Sequence, residues 1–158
     1  MAARHLWQDP AFIAHTRMLL DCHQQALGRP LVAGSGDDVR DAQLLYGAAF
    51  AVVSHGVEAD PILNYGNAAA LALWETDWPA FTQLPSRLTA EPVALEERAA
   101  MLEQARRAGY IDNYSGIRIS VTGRRFSIHH ATIWNLFNRQ GQPAGQAATF
   151  REWHFLDS

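Results

Sequence analysis

The sequence predicts an α+β domain built on a five-stranded antiparallel sheet, and three observations carry that expectation. Hydrophobic patterns follow the order helix, two strands, several helices, three strands, not the alternating strand–helix–strand order of a nucleotide-binding fold. Gly-containing turns separate the last three alternating segments, as in a meander. At 158 residues the chain is long enough to bury one core without staples.

Each element has its own signal. Asp9 followed by Pro10 reads as an N-cap and first helical position. Phe12, Ile13, Leu19, Leu20, Ala26 and Leu27 then recur at helical spacing, and Gly28 and Pro30 stop the helix. Residues 1–36 therefore form an N-terminal helix and loop, expected to pack on the domain or to dimerise, and 37–158 form one globular unit. "LVAGSGDD" is a loop whose two Asp can cap a helix through "VRDAQLLYG". "AFAVVSH" and "PILNY" read as strands around the polar turn "GVEAD". After Asn67 comes the apolar helix "NAAALALW", then "DWPAFTQL", capped by Asp77 and stopped by Pro85. "PVALEERAAMLEQARRAGY" is a helix with the stripe Leu95, Ala99, Leu102 and Ala105, and Glu103 and Arg107 stand one turn apart. "NYSGIRISV", "FSIHHATIWNLF" and "QAATFREWHF" complete the meander.

Composition excludes several classes. The net charge of −3, with both signs interspersed, offers no surface for nucleic acid. The single cysteine, Cys22, allows no internal disulfide, fits a reducing cytoplasm and reads as a small buried hydrophobe. The N-terminus lacks the apolar stretch of a signal peptide, and the longest apolar run, around "GAAFAVV", is too short to cross a bilayer. A cytoplasmic protein without membrane attachment is the expectation.

Asn67 explains why a strand gives way to an apolar helix inside "DPILNYGNAAALALWE". An Asn at this point accepts hydrogen bonds from backbone N–H groups that the helix leaves free. The pattern "ILNYGNAAALALW", with an apolar strand ending on Asn before an Ala-rich helix, resembles the PAS signature. "SHGVEADPILNYGNAAALALWE", "LPSRLTAEP", "YSGIRIS", "GRRFSIHHATIWNL" and "GQAATF" resemble, in this order, the MEKHLA domain, a PAS-related family. The resemblance runs from about His15 to Trp153. It implies a PAS-like sheet with helices on one face plus the N-terminal helix, in a family of free-standing bacterial proteins that also supplies the C-terminal region of plant class III homeodomain–leucine-zipper factors. No homeodomain or zipper is visible here, so DNA binding is not carried over.

The resemblance raises three cofactor chemistries, and the residues are tested against each. Light-sensing PAS domains use a cysteine in a motif that aligns with "PSRL", where Ser86 stands instead. A serine hydroxyl without a base is a poor nucleophile near neutral pH, so flavin adduct chemistry is excluded. Arg87 beside it reads as a surface ion pair in preference to a phosphate clamp. Haem is disfavoured, because the helices after Asn67 carry no histidine to serve as axial ligand. His15 and His23 are out of line on their helix, and the adjacent His129 and His130 point to opposite faces of a strand, so no metal site is expected.

A PAS pocket lies between sheet and helices. Strict alternation in "FSIHHATIWNLF" puts Phe126, Ile128, His130, Thr132, Trp134 and Leu136 on one face, taken as the face toward the helices. His130 and Thr132 are then polar groups on an apolar face and lead the candidates for ligand contact, with Trp134, Asn67, Trp74, Arg118 and Gln146 beside them. A structural histidine bonded to a carbonyl is the plainer role for His130. His55 is expected to bond Glu58 or Asp60 in the turn that follows it. No catalytic motif stands out, and no enzyme activity is expected. The expected function is a sensory or small-molecule-binding module signalling to a protein partner or a second copy, its ligand and cofactor unidentified. The alternatives are a ligand-free interaction domain whose five Trp fill the interior, or a small cone-shaped α+β enzyme using His130 with Asp60 or Arg118.

Overall fold

Asp9 and Asp37 open the first two helices by accepting hydrogen bonds from backbone N–H groups two residues on, which a first helical turn leaves unpaired. The computed structural model describes residues 5–91 and 95–156, apart from the side chains of Leu95, Arg98 and Leu102. α1 spans Pro10–Leu27 and α2 spans Asp38–Tyr46. Gly28, at φ 73°, ends α1 in the left-handed conformation that glycine adopts without a steric cost.

β1 (Ala51–His55) and β2 (Leu63–Gly66) form an antiparallel hairpin, whose turn is fixed by Glu58 accepting the Ile62 N–H at 3.0 Å. Asn67 then caps α3 (Ala68–Trp74), and Asp77 caps the short α4 (Trp78–Phe81). α4 ends before Pro85, and "SRLT" forms a separate 3-10 turn at Ser86–Thr89. α5 (Leu95–Ala108) follows, and residues 92–94 of the expected helix lie outside the described residues. Its inward side is carried by Met101 and Ala105, whereas Ala99, placed on the stripe by spacing, is exposed.

β3 (Tyr110–Ile119), β4 (Arg125–Phe137), β5 (Pro143–Phe150) and β6 (Glu152–Phe155) complete an antiparallel sheet of six strands in the order β2-β1-β5-β4-β3, with β6 paired to β4. The sequence pattern implies five strands; a bend at Arg151 divides the last of them into β5 and β6.

Helices cover both faces. Phe12, Leu19, Leu20 and Cys22 of α1 and Ala42 and Leu45 of α2 pack on Val52, Tyr65, Trp134 and Leu136. On the opposite face, Leu71, Leu73, Trp74 and Phe81 pack on Ala51, Phe126, Ile128, Ala131 and Phe150. Each fully buried Leu, Ile or Phe contributes roughly 1.5–3 kcal/mol of transfer free energy.

The alternation predicted for β4 does not hold along its length. His130 takes φ 55° and Asn113, opposite it on β3, takes φ 56°. A single residue in the left-handed region turns the strand over, so even-numbered residues face α3 before the break and odd-numbered ones after it. Phe126 and Ile128 stay on the α3 side, while Thr132, Trp134 and Leu136 lie on the α1 side and His130 is exposed.

Candidate functional site

Between the sheet and the helices α3–α5 lies a cavity of about 280 Å³. Its floor is built from four strands: Val53, Ser54 and His55 on β1, Gln146, Ala147, Ala148 and Phe150 on β5, Ile128 and Ile133 on β4, and Ile111, Tyr114 and Arg118 on β3. Its roof is Leu63, Trp74, Phe81, the turn residues Ser86 and Thr89, the segment Ala90–Glu91, and Met101 and Ala105 of α5. The segment is held across the edge of β3 by a bridge from Ala90 to Arg118 and a hydrogen bond from the Glu91 N–H to the Ile117 carbonyl.

Most polar groups of the lining are already partnered. Trp74 donates its indole N–H to the Thr89 carbonyl at 3.3 Å. Gln146 donates to the Asn135 side chain at 3.2 Å, and Asn135 in turn donates to the Ala105 carbonyl at 3.3 Å, tying α5 to the sheet. Glu91 is paired with Arg125. His55 places Nδ1 against the Gly56 carbonyl at 2.9 Å. The carboxylates expected to hold His55 are engaged elsewhere: Glu58 by the Ile62 N–H, which keeps its carboxyl below the usual range, and Asp60 by Arg87 at 3.1 Å.

Of the seven residues singled out from sequence, the structure brings Trp74, Arg118 and Gln146 to the cavity. The other four lie elsewhere. Asn67 is fully buried and binds backbone groups of Leu45, Phe50, Val52 and Ala70. Trp134 is sealed under α1, donating to the Leu19 carbonyl at 3.2 Å. Thr132 donates to Asp112 at 2.9 Å, and His130 meets Asn113 and Glu152 on the outer side. The reason is the break at His130, which inverts the parity of β4. His130, Asp60 and Arg118 are not brought together: His130 is on the outer side, Asp60 is paired with Arg87, and of the three Arg118 lines the cavity.

Sequence reasoning missed Tyr114, Glu91, Met101, Ile133 and Ala148 as lining residues. Asp112 and Asn113, in an otherwise strand-like run, were the available signal, because Asn adopts the left-handed conformation more readily than most residues. Among the described residues no group of three or more His, Cys, Asp or Glu could hold a metal ion, and no helix is long and apolar enough to cross a membrane.

Comparison with known proteins agrees with this architecture. The sequence matches the MEKHLA domain over residues 13–155. No curated protein matches the chain in sequence. A PAS domain from Colwellia psychrerythraea superposes with a TM-score of 0.60 at 11% identity, covering 74% of this chain and 94% of that one. A Light-Oxygen-Voltage domain from work with a flavin analogue superposes at 0.53 and 14% identity, covering 79% and 90%. An RNA-binding Light-Oxygen-Voltage receptor gives 0.56 at 20% identity, covering 83% of this chain and 37% of the receptor. At these identities the similarity speaks for the fold, a PAS-like α+β domain.

Proposed function

The chain belongs to the MEKHLA domain family, and we propose that it works as a PAS-type sensory module taking a small molecule into the cavity between sheet and helices. The observation that carries this reading is the cavity itself. Its volume, about 280 Å³, falls just short of the roughly 300–1,000 Å³ typical of small-molecule sites, and its walls are apolar with a few polar groups.

Adjacent residues on one strand face opposite layers, so a floor displaced by a ligand also moves the α1 side. Val53, Ser54 and His55 line the cavity, and the Ser54 hydroxyl also meets His15 of α1 at 2.9 Å. Ile133 lines the cavity, and Trp134 beside it bonds α1. The outer side of α1, with Ala14, Asp21 and Gln25 exposed, is the surface we assign to a protein partner or a second copy. Two of the structural neighbours are Light-Oxygen-Voltage proteins. Ser86, which the sequence aligns with the cysteine of light-sensing PAS domains, lines this cavity, and a serine hydroxyl without a base forms no such adduct.

The test begins with an absorption spectrum of freshly purified protein and mass spectrometry of the denatured supernatant, followed by thermal-shift screening. The expected result is a released or stabilising small molecule whose effect disappears in Ala148→Phe, which puts a ring on the cavity floor while the protein stays folded. Equal stabilisation of wild type and Ala148→Phe, or no molecule at all, overturns the reading.

A further inference from the structure

We propose that the cavity recognises an anion: a small, mostly apolar molecule bearing one carboxylate or similar acidic group that meets Arg118. The inference rests on the cavity being a ligand site, and adds the chemistry of what enters it.

Arg118 is the cation of the lining without a carboxylate partner among the described residues. Its guanidinium carries five N–H donors, and its hydrogen bond is to the Ile117 carbonyl, from Nη1 at 3.3 Å. The other charges nearby are matched. Arg125 neutralises Glu91, and Arg87 outside the cavity neutralises Asp60. One positive charge is therefore left facing a cavity walled by Ile111, Ile128, Ile133 and Phe150. A partly buried cation beside apolar walls loses hydration that only an opposite charge restores in full.

Arg118 is also supported in place. Its Cζ lies 5.4 Å from the centroid of the Tyr114 ring. Tyr114, Gly116 and Arg118 fall on the same side of β3, and the tyrosine lies along the strand over Gly116. A Cβ at Gly116 would come within 2.5 Å of the Tyr114 hydroxyl, so the missing side chain is what lets the ring lie there. A planar guanidinium carries a fork of N–H donors that fits a carboxylate through two parallel hydrogen bonds.

The experiment uses the intact, isotope-labelled chain at pH 7 and reads binding from backbone amide shifts. Three matched probe arms are titrated: arylalkanoic acids (3-phenylpropionic acid and its indole and cyclohexyl analogues), their primary amides, and the corresponding amines. The expected result is that acids bind roughly tenfold or more tightly than amides, as for hydrogen bonds to charged groups. Arg118→Gln should bring the acids to the amide level, while Arg139→Gln on an exposed turn leaves the preference intact. Amides or amines binding as well as acids, or an acid preference that survives Arg118→Gln, overturns the anion and leaves the cavity reading standing. If no arm shifts the amides of Ile133 and Ala148, the cavity reading fails together with it.

Discussion

Asn67 uses the full hydrogen-bonding capacity of one amide. Its oxygen accepts from Val52 N at 3.0 Å and Ala70 N at 3.2 Å, and its nitrogen donates to the carbonyls of Leu45 at 3.1 Å and Phe50 at 2.8 Å. The residue thus joins the end of α2, the start of β1 and the first turn of α3 at a fully buried point. Asn67→Ala is expected to cost about 3 kcal/mol or more, because it leaves buried donors and acceptors unpaired. Asn67→Asp keeps the cap acceptor but turns a carboxylate oxygen toward two carbonyls, so it should be no better. Urea unfolding of both variants checks this; a wild-type midpoint for Asn67→Asp would show that the amide donors are not needed.

At the scale of the elements, the break across β3 and β4 shapes the cavity floor. Ile111 and Tyr114 are three residues apart, and Ile128 and Ile133 five apart, yet all four line the cavity. An unbroken strand cannot place odd separations on one face. Asn113 and His130 absorb the turnover at positive φ and hydrogen-bond each other. A β-branched residue is poorly suited to that backbone, so His130→Val should destabilise by roughly 1–2 kcal/mol. His130→Gly should stay close to wild type, since the imidazole's hydrogen bond to Asn113 and its pairing with Glu152 are exposed to solvent and worth little. Chemical denaturation of the pair decides the matter, and the reverse order would mean the strand runs regularly through this position. α1 belongs to the same scale. Its apolar side is used on the sheet of its own chain, which leaves its polar side outward.

Across the whole molecule, the three layers draw ionisable groups partly or wholly out of solvent. His15, between α1 and the β1–β2 hairpin, is pushed down to about 4 by burial. Burial also lowers His23 against the Arg29 carbonyl. The unfolded chain binds these protons first as pH falls. His15's contribution to stability is therefore complete above its ordinary value of 6.5 and is lost as pH drops toward 4. The loss is roughly 3 kcal/mol. Asp41, held low by hydrogen bonds from Ser35 and by Arg17, and Glu75, held low by Thr122 and Ser120, add losses that set in only as pH falls through their ordinary values of 3.8 and 4.5. Urea midpoints measured between pH 7 and 4 should fall steadily in wild type and less steeply in His15→Gln. An identical slope in both would remove His15 from the account.

The α+β class, the family, the order of the elements and most of their ends were legible in the sequence. Those features are written locally: Asp9, Asp37, Asn67 and Asp77 cap helices, Gly28 and Gly109 end them, and hydrophobic periods of 3.6 and 2 mark the rest. Trp74, Arg118 and Gln146 could be picked out because they stand in family-like blocks, and the structure brings them to the cavity. Which face each residue of β4 presents is settled only by the folded chain, and that excludes His130, Thr132 and Trp134 from the cavity. Parity along a strand is a cumulative property, and one residue at positive φ, held there by its neighbour on the next strand, inverts everything beyond it. The fold likewise neutralises Glu91 and Asp60 while leaving Arg118 without a carboxylate among the described residues. Charge pairing depends on distances between elements far apart in the chain, which no spacing in the sequence encodes.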